Sequence, residues 1–278
     1  MIDATNLRRA VARTPLARMA AFPKRFSRVA RHDARVVGTS VKWLFTSREH
    51  HNYTYDLTTR NHTHLAWFVS HVCGIPVTQV RHFLTEINED EALRQHVVAT
   101  TEVAARGGLA DRTARYARRI GWYAVVRARK PKHVVETGVD KGLGSLVIAA
   151  ALLRNATEGH PGRVTSIDIN PEAGYLVKAL PWSTVVDLVI SDSQQAIGEL
   201  DRPVDVFLHD SDHAPERERA EFEKVEQKLA PGALLLTDNV TATDVLANYA
   251  EATERRFLAW TERPRRHWYP GDGIGVAW

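Results

Sequence analysis

A chain of 278 residues, 44% hydrophobic and 25% charged, can bury a globular core of ordinary size, either as one large domain or as a catalytic domain with a smaller helical attachment. Its one cysteine, Cys73, excludes an internal disulfide and a cysteine-based zinc site and points to a reducing, cytoplasmic setting. No apolar run reaches the ~18 residues that span a bilayer, and no secretory h-region is present. The formal charge of +4 is unevenly spread. Residues 1–35 hold Arg8, Arg9, Arg13, Arg18, Lys24, Arg25, Arg28, Arg31 and Arg35 against Asp3 and Asp33. Such an arm is either a solvated, partly helical face packing on another subunit or a contact for an acidic surface, lipid headgroups before nucleic acid.

To about residue 110 the pattern is helical and irregular. Leu65, Phe68, Val69 and Val72 have helical spacing within His62–Gly74, which Gly74 and Pro76 stop. Thr78 is placed to cap a next helix with Val80, Phe83, Leu84 and Ile87 on one face, and a further helix covers Glu91–Ala105. The division is therefore an N-terminal helical extension, 1–110, carrying the basic arm and a substrate lid, and a second domain, 111–278.

From residue 112 strands and helices alternate. A helix over Arg112–Arg129 leads to a strand at His133–Glu136, a glycine turn at Gly138–Gly144 and an apolar helix to Asn155. Strands at Val164–Asp168, Val185–Ser191, Val204–His209 and Ala233–Thr237 follow, with helices near Pro171–Ala179, Gln194–Leu200 and Pro215–Leu229 between them. A helix at Ala242–Ala252 precedes strands Phe257–Thr261 and Ile274–Trp278, which have no helix between them. The fold class is α/β: a Rossmann-like, doubly wound, mostly parallel seven-stranded sheet with a C-terminal antiparallel pair and an N-terminal helical extension.

In open parallel sheets ligands lie beyond the carboxyl ends of the strands. Here those ends read Glu136 to Gly138, Asp168, Ser191 to Ser193, His209 to His213, and Asp238 with Asn239. The first turn is not the Gly-x-Gly-x-x-Gly of pyrophosphate binders. An acidic strand end has the wrong sign for a phosphate and the right one for a cationic amino-acid cofactor, and Asp168 is placed to accept from a ribose diol.

Over roughly residues 112–278 the sequence resembles the class I S-adenosylmethionine-dependent methyltransferases. VVETGVDKG (134–142) looks like their first motif, RVTSID (163–168) like their ribose-binding strand, and VISDSQ (189–194) like the segment that meets adenine. The resemblance implies Glu136 and Gly138 beside the methionine moiety, Gly142 also at the cofactor, Asp168 on the ribose, and Asp192, Ser193 and Gln194 near the adenine. VFLHD (206–210) followed by LLLTDN (234–239) resembles the metal-dependent O-methyltransferases of the catechol and caffeoyl-CoA type and bacterial sugar O-methyltransferases. That likeness implies Asp210, Asp238 and Asn239 on Mg²⁺ or another divalent cation, as suits hard oxygen ligands. His213 stands where the catechol-type enzymes have a basic lysine, and Gly144 where they have a serine. The catalytic candidates are His213 and Asp212, taking a proton from a metal-bound hydroxyl.

Other readings stay open: Asp238 and Asn239 as a helix cap, Asp210 and Asp212 as turn formers, and His213 as a hydrogen-bonded polar residue. Trp43, Phe45, Tyr53, Tyr55 and Trp67, with the loop Arg263–Pro270, suit a saccharide or other hydroxylated small molecule, or are plain core and dimer contacts. The expected partners are a small-molecule hydroxyl acceptor and a second copy of the chain, with peripheral membrane contact through the arm and no nucleic acid. The competing function is a metal-independent methyltransferase acting on RNA or a nitrogen acceptor.

Overall fold

The computed structural model describes residues 16–49, 53–104, 108 and 110–278. Arg8, Arg9 and Arg13 of the basic arm lie outside the described residues. The chain divides into two compact units, one holding the long helix α1, Leu16–Thr46, together with Arg266–Trp268, the other running over Arg48–Arg265 and Tyr269–Trp278.

In the first unit, Trp43 packs on His267 and Trp268 at ring distances of 6.1 and 5.3 Å. Met19, Phe22 and Phe26, and about three turns further on Val37, Val41 and Leu44, are exposed and lie at three- and four-residue steps within each group, so they share one side of α1. Lys24, Arg28, Arg31, Arg35 and Lys42 fall on the other side.

The larger unit is built on a seven-stranded sheet in the order β3-β2-β1-β4-β5-β7-β6. The strands are β1 His133–Thr137, β2 Arg163–Asp168, β3 Val186–Ile190, β4 Val204–His209, β5 Leu229–Asp238, β6 Phe257–Thr261 and β7 Gly273–Ala277. Only β7 runs antiparallel to its neighbours, β5 and β6, which is the expected closing pair. The chain order reverses between β1 and β4, so their carboxyl ends open a crevice there. β1 is buried at every position, as strands covered on both faces are.

Helices α2 Thr59–Cys73, α3 Val77–Glu89, α4 Glu91–Val103, α5 Arg119–Arg129 and α6 Leu143–Thr157 precede β2. The expected apolar faces of α2 and α3 are buried at all eight positions named from the sequence. They join α5, α6 and one face of the sheet in a single continuous core. Helices α7 Ser193–Gly198, α8 Pro215–Val225 and α9 Val245–Ala252 share the second core with the opposite face. Arg127 of α5 ties the first layer together, donating to Glu86 at 2.8 Å, to Glu158 at 2.6 Å and to Asn155.

Three expectations change. Thr78 does not cap α3, which begins after Pro76; the side-chain caps are Thr58 on α2 and Asp90 on α4. The segment near Pro171–Ala179 forms only a short 3₁₀ turn, Tyr175–Val177, because Gly174 adopts a left-handed φ of 74° in front of it. The helix expected from Arg112 starts only at Arg119, since Ala117 at φ 50° breaks the chain direction. Arg118 and Arg119 are thereby set at the start of α5, where the helix dipole disfavours cations and nearby acids must hold them.

Candidate active site

A cavity of about 310 Å³ lies at the carboxyl ends of β1, β2, β3 and β4. Gly138, Asp168, Asp192, Ser193, Asp210 and Asp212 line it together; Glu136, Gly142, Gln194 and His213 are not among its lining residues. Gly138 is required at its turn: φ is 86°, and a Cβ would fall 1.9 Å from the Asp210 carbonyl oxygen.

Asp168 accepts from three backbone N–H groups, Val139 and Asp140 on Oδ2 at 2.8 and 2.9 Å and Asn170 on Oδ1 at 2.8 Å. A carboxylate offers about four acceptor positions, so one stays for a ligand hydroxyl. Beside it Ile169 is exposed at the cavity wall and offers an apolar face to a flat ring. Asp192 is the N-cap of α7 and also pairs with Arg217 at 3.1 Å.

Glu136 lies beneath the glycine turn rather than in the cavity, fully buried and accepting from Ser145 and Ser166. Gly144 is glycine because a Cβ there would meet Glu136 Oε1 at 2.3 Å. Burial pushes the Glu136 carboxyl up to about 7, against the Ser145 and Ser166 hydroxyls, which favour its charge. A carboxyl whose pKa is raised on folding holds its proton in the native state while the unfolded chain has lost it, so stability falls as pH rises from about 4.5 through about 7. In cofactor-free protein Glu136→Gln is therefore expected to melt higher than the parent at pH 8, by an equivalent of about 2–3 kcal/mol, with the gap closing towards pH 5. A gap independent of pH would refute this assignment.

Two residues that the sequence reading did not single out dominate the site. Arg119 lines the cavity, is 5% exposed, lies over the Trp122 ring at 5.4 Å and has no hydrogen-bond partner on Nε among the described residues. Arg118 grips both oxygens of Asp238 through Nε and Nη2 and donates from Nη2 to Asn239 Oδ1 at 2.8 Å and from Nη1 to Glu262 Oε1 at 3.0 Å. Tyr55 donates to the same Glu262 oxygen at 2.6 Å. Burial opposes the Arg118 charge, but Asp238 and Glu262 hold its pKa well above the ordinary value. The only available signal in the sequence was two adjacent arginines at a helix start in an otherwise arginine-rich stretch.

Asp210, His213 and Asp238 each bring a ligand atom within 4.8 Å of the others, the one such group among the described residues. Burial raises the Asp210 carboxyl well above the usual range, and the Asp238 charge pushes it the same way. The expected open set of Asp210, Asp238 and Asn239 is not what the structure presents. Both Asp238 oxygens and the Asn239 oxygen accept from Arg118. As folded, these residues do not fit a divalent ion: one bridging Asp238 and Asn239 would have to displace Nη2, which already reaches both, and would add its charge to that of the guanidinium.

Arg118 also fixes the amide of Asn239. A guanidinium only donates, so Asn239 turns its oxygen to Arg118 and its Nδ2 to His213, donating to Nε2 at 2.6 Å. His213 Nε2 is thereby held unprotonated, its lone pair accepting from Asn239. Burial lowers the His213 pKa, against the opposing charge of Asp238. Asp212 instead accepts from Ala214 N–H at 3.1 Å, a turn contact. Beneath them Glu221 accepts from His209 at 2.7 Å, Thr137 at 2.6 Å and Ser211 at 2.9 Å, anchoring the ends of β1 and β4 to α8.

Residues 135–240 match the family described as a methyltransferase domain. Among solved structures, cofactor-bound Rv0187 from MTB shares 18% identity, with 68% of this chain and 89% of that chain covered and a TM-score of 0.51. The O-methyltransferase TomG from Streptomyces achromogenes, in complex with SAM, has 18% identity over 68% and 89% of the two chains and a TM-score of 0.49. A methyltransferase from Geobacter sulfurreducens has 22% identity over 66% and 88%, with a TM-score of 0.47. No curated protein matches the chain. The strand order and the strand-end cavity define a Rossmann-like sheet of the class I methyltransferase type. The chain has that fold, and its residues 135–240 match a methyltransferase domain.

Proposed function

We propose that the protein is an S-adenosylmethionine-dependent O-methyltransferase acting on a hydroxyl of a small molecule. The observation that carries this is the strand-end cavity lined by Gly138, Asp168, Asp192, Asp210 and the buried Arg119, with His213 Nε2 4.0 Å from the Asp210 carboxylate. When bound, S-adenosylmethionine supplies an electrophilic methyl on a sulfonium. Arg119 would hold the carboxylate of its methionine part, the remaining acceptor position of Asp168 a ribose hydroxyl, and Ile169 the adenine face. His213 takes the acceptor's proton on Nε2, in exchange for the Asn239 hydrogen bond held there, as the hydroxyl oxygen bonds to the methyl carbon and the sulfur keeps the electron pair of the broken bond. Much of the acceleration comes from holding the two reactants in line. No step is routed through Mg²⁺, because Arg118 occupies two of the three residues that would hold it.

For the acceptor, Tyr53 and Tyr55 flank Tyr269 at ring distances of 5.7 and 5.8 Å, next to the Glu262 and Arg118 cluster. Aromatic faces beside polar groups support a saccharide or another hydroxylated metabolite. Titration calorimetry with S-adenosylmethionine and its demethylated product tests the cofactor reading. Binding in the micromolar range is expected, weakened about 30-fold or more in Arg119→Ala, as for a lost buried ion pair. No heat of binding with either compound would overturn the proposal, and an unchanged affinity in Arg119→Ala would remove that residue from it. Release of the demethylated product in a screen of sugars and phenols then finds the acceptor.

We also propose that α1 rests on an anionic lipid surface. No helix among the described residues is long and apolar enough to cross a membrane. The exposed apolar side of α1, with Phe22 61% and Phe26 61% exposed, and the basic opposite side match an interfacial helix. The cationic face favours acidic headgroups over a second copy, which would bring two cationic helices together. The protein is expected to sediment with phosphatidylserine-containing vesicles and not with pure phosphatidylcholine, and to lose this when Phe22 and Phe26 are both changed to serine. Equal behaviour of the two vesicle types, or a dimer dissolved by the double change, would refute it.

A further inference from the structure

We propose that the Arg118 guanidinium is a built-in cation at the position that the oxygen cluster would otherwise give to a divalent ion, so that Asp210, Asp238 and Asn239 serve the site without a metal. This rests on the methyltransferase reading for its functional meaning, although its geometry stands alone. Nη2 reaches both Asp238 and Asn239, two of the three oxygen donors, and so lies where an ion shared between them would lie. The side chain of Arg118 is 8% exposed, and those of Asp238 and Glu262 are 0% exposed. A divalent ion entering this set would displace the guanidinium and strip Glu262 of its cation. It would also set a double positive charge beside Arg119. Nη1 of Arg118 meanwhile donates to Glu262 Oε1 and, at 3.4 Å, to the Tyr55 hydroxyl, so the guanidinium is held from both sides.

The two kinds of cation do different work. A metal offers open coordination positions and draws substrate oxygens to itself. The guanidinium stays charged at any working pH, cannot be chelated away, and spends its planar fork on fixing its own acids. What it gives the site is orientation, through the Asn239 amide to His213, and a neutralised carboxylate floor. The acceptor hydroxyl must then be activated by His213 rather than by direct ligation.

The test is a titration with Mn²⁺ followed by the loss of its free-ion paramagnetic resonance signal, on full-length protein with the demethylated cofactor present. The parent is expected to show no site at Asp238. Arg118→Met, which keeps the side-chain volume and removes the donors, is expected to gain one Mn²⁺ site at least about tenfold tighter than any in the parent. Adding Asp238→Asn to that variant should abolish the gain. A stoichiometric Mn²⁺ site in the parent that Asp238→Asn removes would overturn the proposal. Absence of a site in a folded Arg118→Met would overturn it as well, since the oxygens would then be no cation cradle. Circular dichroism checks folding, and Arg118→Gln, which retains an amide donor for Glu262, replaces the methionine variant should that one not fold. Cofactor affinity, measured separately by calorimetry without metal, shows whether the methyltransferase reading itself has failed.

Discussion

Arg118→Ala is expected to lower the unfolding free energy by about 3–5 kcal/mol, the cost of leaving buried carboxylates without their cation. Asp238 and Glu262 have fully buried side chains, and both direct oxygens to this one guanidinium. A domain with ~5–15 kcal/mol of stability survives such a loss but melts well below its parent. Urea unfolding at neutral pH measures it. The double variant with Asp238→Asn should cost less than the sum of the two single changes, because the second removes the charge that the first left stranded. A loss below about 1 kcal/mol would mean that the pair behaves like a solvated surface bridge and is not the desolvated cluster described here.

His213→Ala is expected to lower turnover of any acceptor found in the screen by about 10²–10⁴-fold, the usual range for a lost general base. Cofactor affinity should stay within about twofold, since His213 is not among the residues lining the cofactor cavity. The comparison that separates the candidates is Asp212→Asn, whose carboxylate closes a turn to Ala214; its effect on turnover should be small. Turnover that survives in His213→Ala and collapses in Asp212→Asn would exchange their roles. Asn239→Ala should fall between, because it leaves the base in place but frees its orientation.

Local pattern carried much of the architecture. The burial on both sides of β1, the helical spacing of Leu65, Phe68, Val69 and Val72, and the missing helix between β6 and β7 are properties of short stretches, and the structure repeats them. The same holds for the strand-end acids, since the end of a parallel strand is set by the strand itself; Asp168, Asp192 and Asp210 meet at one cavity for that reason. What the sequence could not decide is which groups lie opposite those acids. Arg118 reaches Asp238 across 120 residues and Glu262 across 144, and such pairings depend on how α5 is aimed after the break at Ala117. Two carboxylates and an amide oxygen read as a metal site when only their spacing is known. In the folded chain the desolvation of Asp238 and Glu262 demands a cation of their own, and an arginine far away in sequence supplies it. Glu136 was likewise assigned to the cofactor by its place at a strand end, whereas the packing of Gly144 over its Oε1 shuts it beneath the turn. Spacing along the chain determined where the site would be; the charge balance of its buried groups was decided only by the tertiary contacts.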